Sequence, residues 1–127
     1  MSERKIVLII DDSEAVRSKL SHWFSQKGFH VLVAVDGEDG YNKIKENEGL
    51  IILIATDFNM PKMNGGELLY RLEEEKIAID SYKIFLTTET PKVETFNFNN
   101  ITNFKSWILK PINEKKFSLI MEKLGIF

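Results

Sequence analysis

Two unbroken runs of branched and apolar residues, Ile6 to Ile10 and Leu50 to Ala55, constrain this chain more than any other feature. Neither run alternates apolar with polar residues, so neither suits a strand with one face in water. Each reads as a strand covered on both faces, the pattern of a parallel sheet sandwiched by helices. His30 to Val35, Tyr82 to Thr87 and Ser106 to Leu109 are three further β-rich stretches, the last ended by Lys110-Pro111.

Helical periods lie between the strands. Val16, Leu20, Trp23 and Phe24 fall at i, i+4, i+7 and i+8, with Ser13 or Asp12 as N-cap, Gly28 as the stop, and Lys27 suited to the negative end of the helix dipole. Asp36 caps a second helix that packs through Tyr41 and Ile44. Asn64 with Glu67 resembles a capping box for a third, through Leu68, Leu69 and Leu72. Phe117, Ile120, Met121 and Leu124 form the stripe of a last helix starting near Asn113. Pro91 to Phe104 is the exception. Its asparagines at 97, 99, 100 and 103 compete with helical hydrogen bonds, so a helix there is expected to be short or frayed.

Alternating strands and helices imply an α/β fold with right-handed crossovers, whose ligands bind outside the carboxyl ends of the strands. Five strand–helix units use nearly all of the 127 residues, so residues 1–127 are expected to form one domain whose output acts through another protein. Composition removes several alternatives. With no cysteine there is no disulfide framework, thiolate metal site or cysteine nucleophile. Seventeen Lys plus Arg against 19 Asp plus Glu give a net charge of −2 without a basic block, which argues against nucleic acid as a partner. No apolar run approaches the ~20 residues that cross a bilayer, and none resembles a signal peptide. A soluble, cytoplasmic, unprocessed monomer that does not bind membranes is expected. Neither a Gly-rich dinucleotide turn nor a phosphate-binding loop follows the first strand.

The strand ends carry the chemistry. Asp11 and Asp12 follow the first strand and Asp57 ends the third, its expected neighbour, so three carboxylates should converge. Like charges raise one another's pKa unless a cation compensates, and an all-oxygen donor set selects Mg²⁺ or Mn²⁺. Thr87 and Thr88 close the fourth strand and Lys110 the fifth. A carboxylate beside a divalent ion can attack phosphorus and form an aspartyl phosphate, whose oxygens then need a hydroxyl donor and a cation. The three carboxylate charges are balanced by one divalent ion and Lys110. Taken singly, each acid also suits a helix cap or a surface charge, Thr-Thr is simply β-prone, and Lys-Pro commonly ends a strand.

Asp11-Asp12, Asp57-Phe58-Asn59-Met60-Pro61-Lys62-Met63-Asn64-Gly65, Thr87-Thr88-Glu89 and Lys110-Pro111, in this order and spacing, resemble the motif set of response-regulator receiver domains of two-component signalling. The resemblance spans essentially the whole chain. It is nearest to single-domain chemotaxis regulators, through Asn59-Met60-Pro61, Thr87 with Glu89, and the ending Glu122-Lys123-Leu124-Gly125. It implies a flavodoxin-like, doubly wound (βα)5 fold: a five-stranded parallel sheet of order 2-1-3-4-5 with helices on both faces.

By the same resemblance Asp57 is the phosphoacceptor. Asp12, Asp57 and the main-chain carbonyl of Asn59 ligate Mg²⁺, and Asp11 holds it through water. Lys110 binds the phosphoryl group and Thr87 is the switch hydroxyl. Trp107 stands where the family has its aromatic switch residue, and equally reads as a half-buried aromatic on an edge strand. The implied partners are a histidine kinase or phosphotransfer domain and a downstream protein on the fourth helix, fifth strand and fifth helix. The chain would be a phosphoacceptor that assists its own phosphorylation and dephosphorylation, a switch more than a turnover enzyme.

Three positions depart from the pattern. Asn64 replaces Asp, a near-equivalent cap. Thr88 replaces Ala or Ser and narrows access to Asp57. Asn103-Phe104 replaces a small Gly-Ala pair, which alters the expected output surface. Two other readings fit the residues less well. A haloacid-dehalogenase-type phosphatase would want its aspartates one residue apart, whereas Asp11 and Asp12 are adjacent. A degenerate receiver serving only as a binding module would not need the full set Asp12, Asp57, Thr87 and Lys110.

Overall fold

The computed structural model describes residues 6–88 and 97–127. Five parallel strands form one sheet of order β2-β1-β3-β4-β5: β1 (Ile6–Ile10), β2 (His30–Ala34), β3 (Ile51–Asp57), β4 (Tyr82–Thr87) and β5 (Phe104–Leu109). Among the described residues four helices accompany them: α1 (Glu14–Gln26), α2 (Gly37–Glu46), α3 (Gly65–Glu75) and α4 (Glu114–Lys123). The expected order of strands and the coverage of both faces are as found.

Alternation along the central strands separates two cores. Val7 and Ile9 of β1 face one way and join Leu20 and Phe24 of α1 and Phe117 and Met121 of α4. Leu8 and Ile10 face the other way and join Ile44 of α2 and Leu68, Leu69 and Leu72 of α3. Because β1 feeds both layers, all four of these residues are fully buried, which explains the unbroken apolar run.

The cap signals hold in detail. Ser13, not Asp12, caps α1, its Oγ accepting from Val16 N–H at 3.3 Å. Asp36 caps α2 by accepting from Asp39 N–H at 2.8 Å. The box at α3 is reciprocal, with Glu67 N–H to Asn64 Oδ1 at 2.8 Å and Asn64 N–H to Glu67 Oε1 at 3.0 Å. Asn113 caps α4.

Several boundaries move. β3 runs from Ile51 to Asp57, leaving Leu50 outside and exposed, so the site aspartate is itself the last strand residue. Val35 falls outside β2. β5 begins two residues early, at Phe104, because that ring packs 5.1 Å from Phe85 on the neighbouring strand. Of the segment Pro91 to Phe104, residues 97–104 are described and hold a 3-10 turn over Phe98–Asn100, a short helical element of the kind expected there. Residues 89–96, including Glu89, lie outside the described residues.

Lys83 in β4 gave no sequence signal. It is 1 % exposed, and its Nζ donates to the carbonyls of Ala78 (2.8 Å), Ser81 (3.0 Å) and Thr102 (2.9 Å). Burial pushes its pKa down to about 8, against the pull of Glu73 and Asp80. The three acceptors satisfy the ammonium and tie two loops to the start of β4. Replacing Lys83 by Met should strand those carbonyls and lower stability by about 2 kcal/mol, since hydrogen bonds to a charged group contribute roughly 1.5–3 kcal/mol each and loss of a desolvated charge offsets part. An unchanged urea midpoint would show that the three bonds contribute nothing net.

Candidate functional site: an acidic cradle at the strand ends

Register brings the strand ends together. Ile10 pairs with Thr56, Asp57 with Leu86, and Thr87 with Leu109. Main-chain bonds hold the residues at this edge: Asp11 N–H to Ala34 O at 3.1 Å, Phe58 N–H to Leu86 O at 3.2 Å, and Lys110 N–H to Thr87 O at 2.8 Å. The Lys110–Pro111 peptide bond is cis.

Within this frame Asp11 is fully buried. Its Oδ1 accepts from Ser13 N–H at 2.9 Å and its carbonyl from Arg17 Nη1 at 2.7 Å. Lys110 Nζ sits 2.8 Å from Asp11 Oδ2 and 3.5 Å from Asp57 Oδ2, bridging the two carboxylates. The Lys110 ammonium is the partner of the buried Asp11 Oδ2, which has lone-pair capacity left over. Asp12 is exposed beside them. One carboxylate oxygen from each of Asp11, Asp12 and Asp57 lies within 4.8 Å of the others. Thr87 is buried at the end of β4 and Thr88 exposed next to it.

The electrostatics follow from burial and crowding. Asp57 is 6 % exposed, and burial first, then the charge of Asp11, raise its pKa from 3.8 to about 6; Asp12 adds to the rise, while Lys110 and the Asn59 N–H oppose it. Burial also works against the Lys110 ammonium, but the carboxylates of Asp11 and Asp57 outweigh it and lift its pKa above the usual lysine value. The cradle thus holds more negative charge than one lysine compensates. An all-oxygen donor set, an under-bonded buried carboxylate oxygen and a net negative site fit a hard divalent cation such as Mg²⁺.

The expected residues Asp11, Asp12, Asp57, Thr87 and Lys110 all come to this one edge. Trp107 lies on β5, half-buried, and stacks on Phe98 at 5.3 Å between ring centroids. Arg17 was not foreseen. A lone helical arginine carries no local mark of its contact with a carbonyl six residues earlier.

Comparison with known proteins agrees with this geometry. A family model described as response regulator receiver domain matches residues 7–122. A chemotaxis protein CheY homolog of Campylobacter jejuni is 33% identical over 119 residues, covering 93% of this chain and 88% of that protein. The chemotaxis protein CheY of Treponema pallidum is 33% identical over 121 residues, covering 94% and 79%. Among solved structures, chemotaxis protein CheY4 of Vibrio cholerae superposes with a TM-score of 0.81 at 26% identity, over 95% of this chain and 98% of that one. A chain of the CheX-CheY-BeF3-Mg complex from Borrelia burgdorferi gives 0.79 at 26% identity, over 96% and 90%. The chain belongs to the response regulator receiver domain family and is a phosphorylation-activated signalling switch.

Proposed function

We propose that residues 1–127 form a single-domain receiver in which Asp57 accepts a phosphoryl group from a histidine kinase or phosphotransfer domain and thereby regulates a separate protein, in chemotaxis. The observation that carries this reading is the Lys110 ammonium bridging the carboxylates of Asp11 and Asp57 beside Asp12. The names of the relatives support the pathway. In the transfer, a bond forms between a carboxylate oxygen of Asp57 and phosphorus while the bond from phosphorus to the donor's leaving group breaks. Lys110 then pairs with phosphoryl oxygens, and the Thr87 hydroxyl donates to one of them. Mg²⁺, or Mn²⁺ in its place, held by Asp11, Asp12, Asp57 and the Asn59 carbonyl, would offset the charge gathered at the site. Replacing one carboxylate charge by roughly two phosphoryl charges changes the local balance that Thr87 reads, and Trp107 on the adjacent strand is the aromatic that follows it. The output face is then the segment before β5, β5 itself and α4, and a pull-down with the beryllofluoride-treated chain should capture a partner that the untreated chain does not.

Incubation with Mg²⁺ and acetyl phosphate should add one phosphate by intact mass, and chelation with EDTA should abolish the gain. No gain with Mg²⁺ present would refute the reading. Sustained turnover of p-nitrophenyl phosphate would instead favour a phosphatase, against which the adjacent Asp11 and Asp12 argue. Thr88 is exposed directly after Thr87; its replacement by Ala should speed both phosphorylation by acetyl phosphate and loss of the phosphoryl group, and unchanged rates would remove Thr88 as a gate. Among the described residues no helix is long and apolar enough to cross a membrane, in keeping with the cytoplasmic location we assign.

A further inference from the structure

The sheet has two edges, and the β2 edge is closed by side chains. The Ala34 carbonyl accepts from the N–H of Asp11, the residue after β1. Main-chain groups alternate along a strand, so those of Val31, Val33 and Val35 face away from the sheet. Two of these outward groups are taken by α2. Val35 N–H donates to Asp39 Oδ2 at 3.1 Å, and Lys43 Nζ donates to the Val33 carbonyl. The two side chains also pair with each other, at 3.4 Å, one turn apart on the helix.

That arrangement copies a missing strand. In a parallel ladder, the carbonyl of one residue and the N–H of the residue two positions on both bond to a single residue of the neighbour. Here the Lys43 ammonium stands for that residue's N–H and the Asp39 carboxylate for its C=O. The stretch they protect needs it, since His30 to Val35 holds three valines and a leucine with no Asp, Glu, Lys, Arg or Pro, and Val33 and Val35 are 36% and 48% exposed. An uncharged, β-branched edge of this kind is a template for pairing with another chain.

We propose that β2 is a latent surface for pairing with a second copy of this chain, and that the Asp39–Lys43 pair keeps it shut. The occupant is a second copy because an edge strand is self-complementary. Two β2 strands related by a twofold axis pair antiparallel and use the same outward groups on both sides. With the ion pair in place the Val33 carbonyl and the Val35 N–H are already bonded, and a partner strand would have to displace and desolvate two charged side chains. The pair thus holds the receiver as a monomer without involving the residues of the phosphorylation site.

The test is sedimentation equilibrium of the full chain and of the double variant Asp39→Ala with Lys43→Ala, over a wide range of concentration. The native chain should stay monomeric. The double variant should shift with concentration toward twice that mass, with the Val31, Val33 and Val35 amides gaining hydrogen-exchange protection in the dimer. A double variant that stays monomeric overturns the proposal, as does a native dimer paired through β2. Arg71→Ala with Glu75→Ala removes an equivalent i,i+4 pair on α3; equal self-association there would also overturn it, since loss of any helix ion pair would then suffice. A measurement on the native chain decides the matter should the double variant fail to fold. Bonded to Asp39, the Val35 amide should exchange more slowly than that of Val33, and equal rates would mean that no guard is present.

Discussion

Replacing Asp57 by Asn should abolish phosphate incorporation from acetyl phosphate and, in EDTA at neutral pH, make the protein more stable by about 1–2 kcal/mol. Both effects have one origin. The carboxylate is buried next to Asp11, and its pKa stands near 6 against 3.8 unperturbed. Between those values the folded protein keeps a proton that the unfolded chain has released. Stability contributed by this group therefore falls as pH rises from about 4 to about 6 and stays lost above that. A shift of this size corresponds to about 3 kcal/mol at most, which we halve because water reaches part of the site. Asn keeps the shape and drops the charge, so the variant should lose this pH dependence and match the native chain near pH 4. Mg²⁺ should reverse the order at neutral pH by binding the native cradle more tightly than the variant's. Equal stability of the two proteins at pH 4 and pH 7 in EDTA would show that Asp57 is not strained in the cradle.

Gly65→Ala should cost about 2–3 kcal/mol and slow phosphorylation of Asp57. Gly65 opens α3 directly beneath the site, its N–H donating to the Phe58 carbonyl at 2.8 Å. A Cβ there would lie 2.4 Å from the Asp57 carbonyl oxygen and 3.1 Å from both Phe58 Cα and Phe85 Cε1. Backbone atoms on one side and a buried ring on the other leave little room to yield, and overpacking of this kind costs roughly 1–3 kcal/mol. The end of β3 has to move, and Asp57 moves with it. Chemical denaturation together with the acetyl phosphate rate tests both parts. Loss of stability with an unchanged rate would mean that α3 shifts instead of the strand.

Much of this was legible because the signals are local. The unbroken apolar runs mark strands buried on both faces, and Ser13, Asp36, Asn64 and Asn113 each cap the helix they precede. The convergence of Asp11, Asp57, Thr87 and Lys110 followed from strand order, since each stands at the carboxyl end of a parallel strand. What escaped reading depends on partners far along the chain. Lys83 looks like a misplaced polar residue until the Ala78, Ser81 and Thr102 carbonyls surround it. The Asn-rich stretch is short in helix, as expected, but its fastenings lie far along the chain: Glu73 accepts from both N–H and Oγ1 of Thr102, Tyr70 Oη accepts from Asn97 N–H, and Asn103 Nδ2 donates to the Ile79 carbonyl. The same asparagine chemistry that disfavours a helix favours the turn, for Asn97 caps it and Asn103 takes a left-handed conformation (φ 61°).

The central claim is that Asp57, set among Asp11, Asp12 and Lys110, carries the phosphoryl group. Borohydride reduces an aspartyl phosphate to homoserine, so tandem mass spectrometry of the chain treated with acetyl phosphate, Mg²⁺ and then borohydride locates the acceptor directly. Homoserine at position 57 alone is the expected result; homoserine at another aspartate, or none at all, would contradict the account.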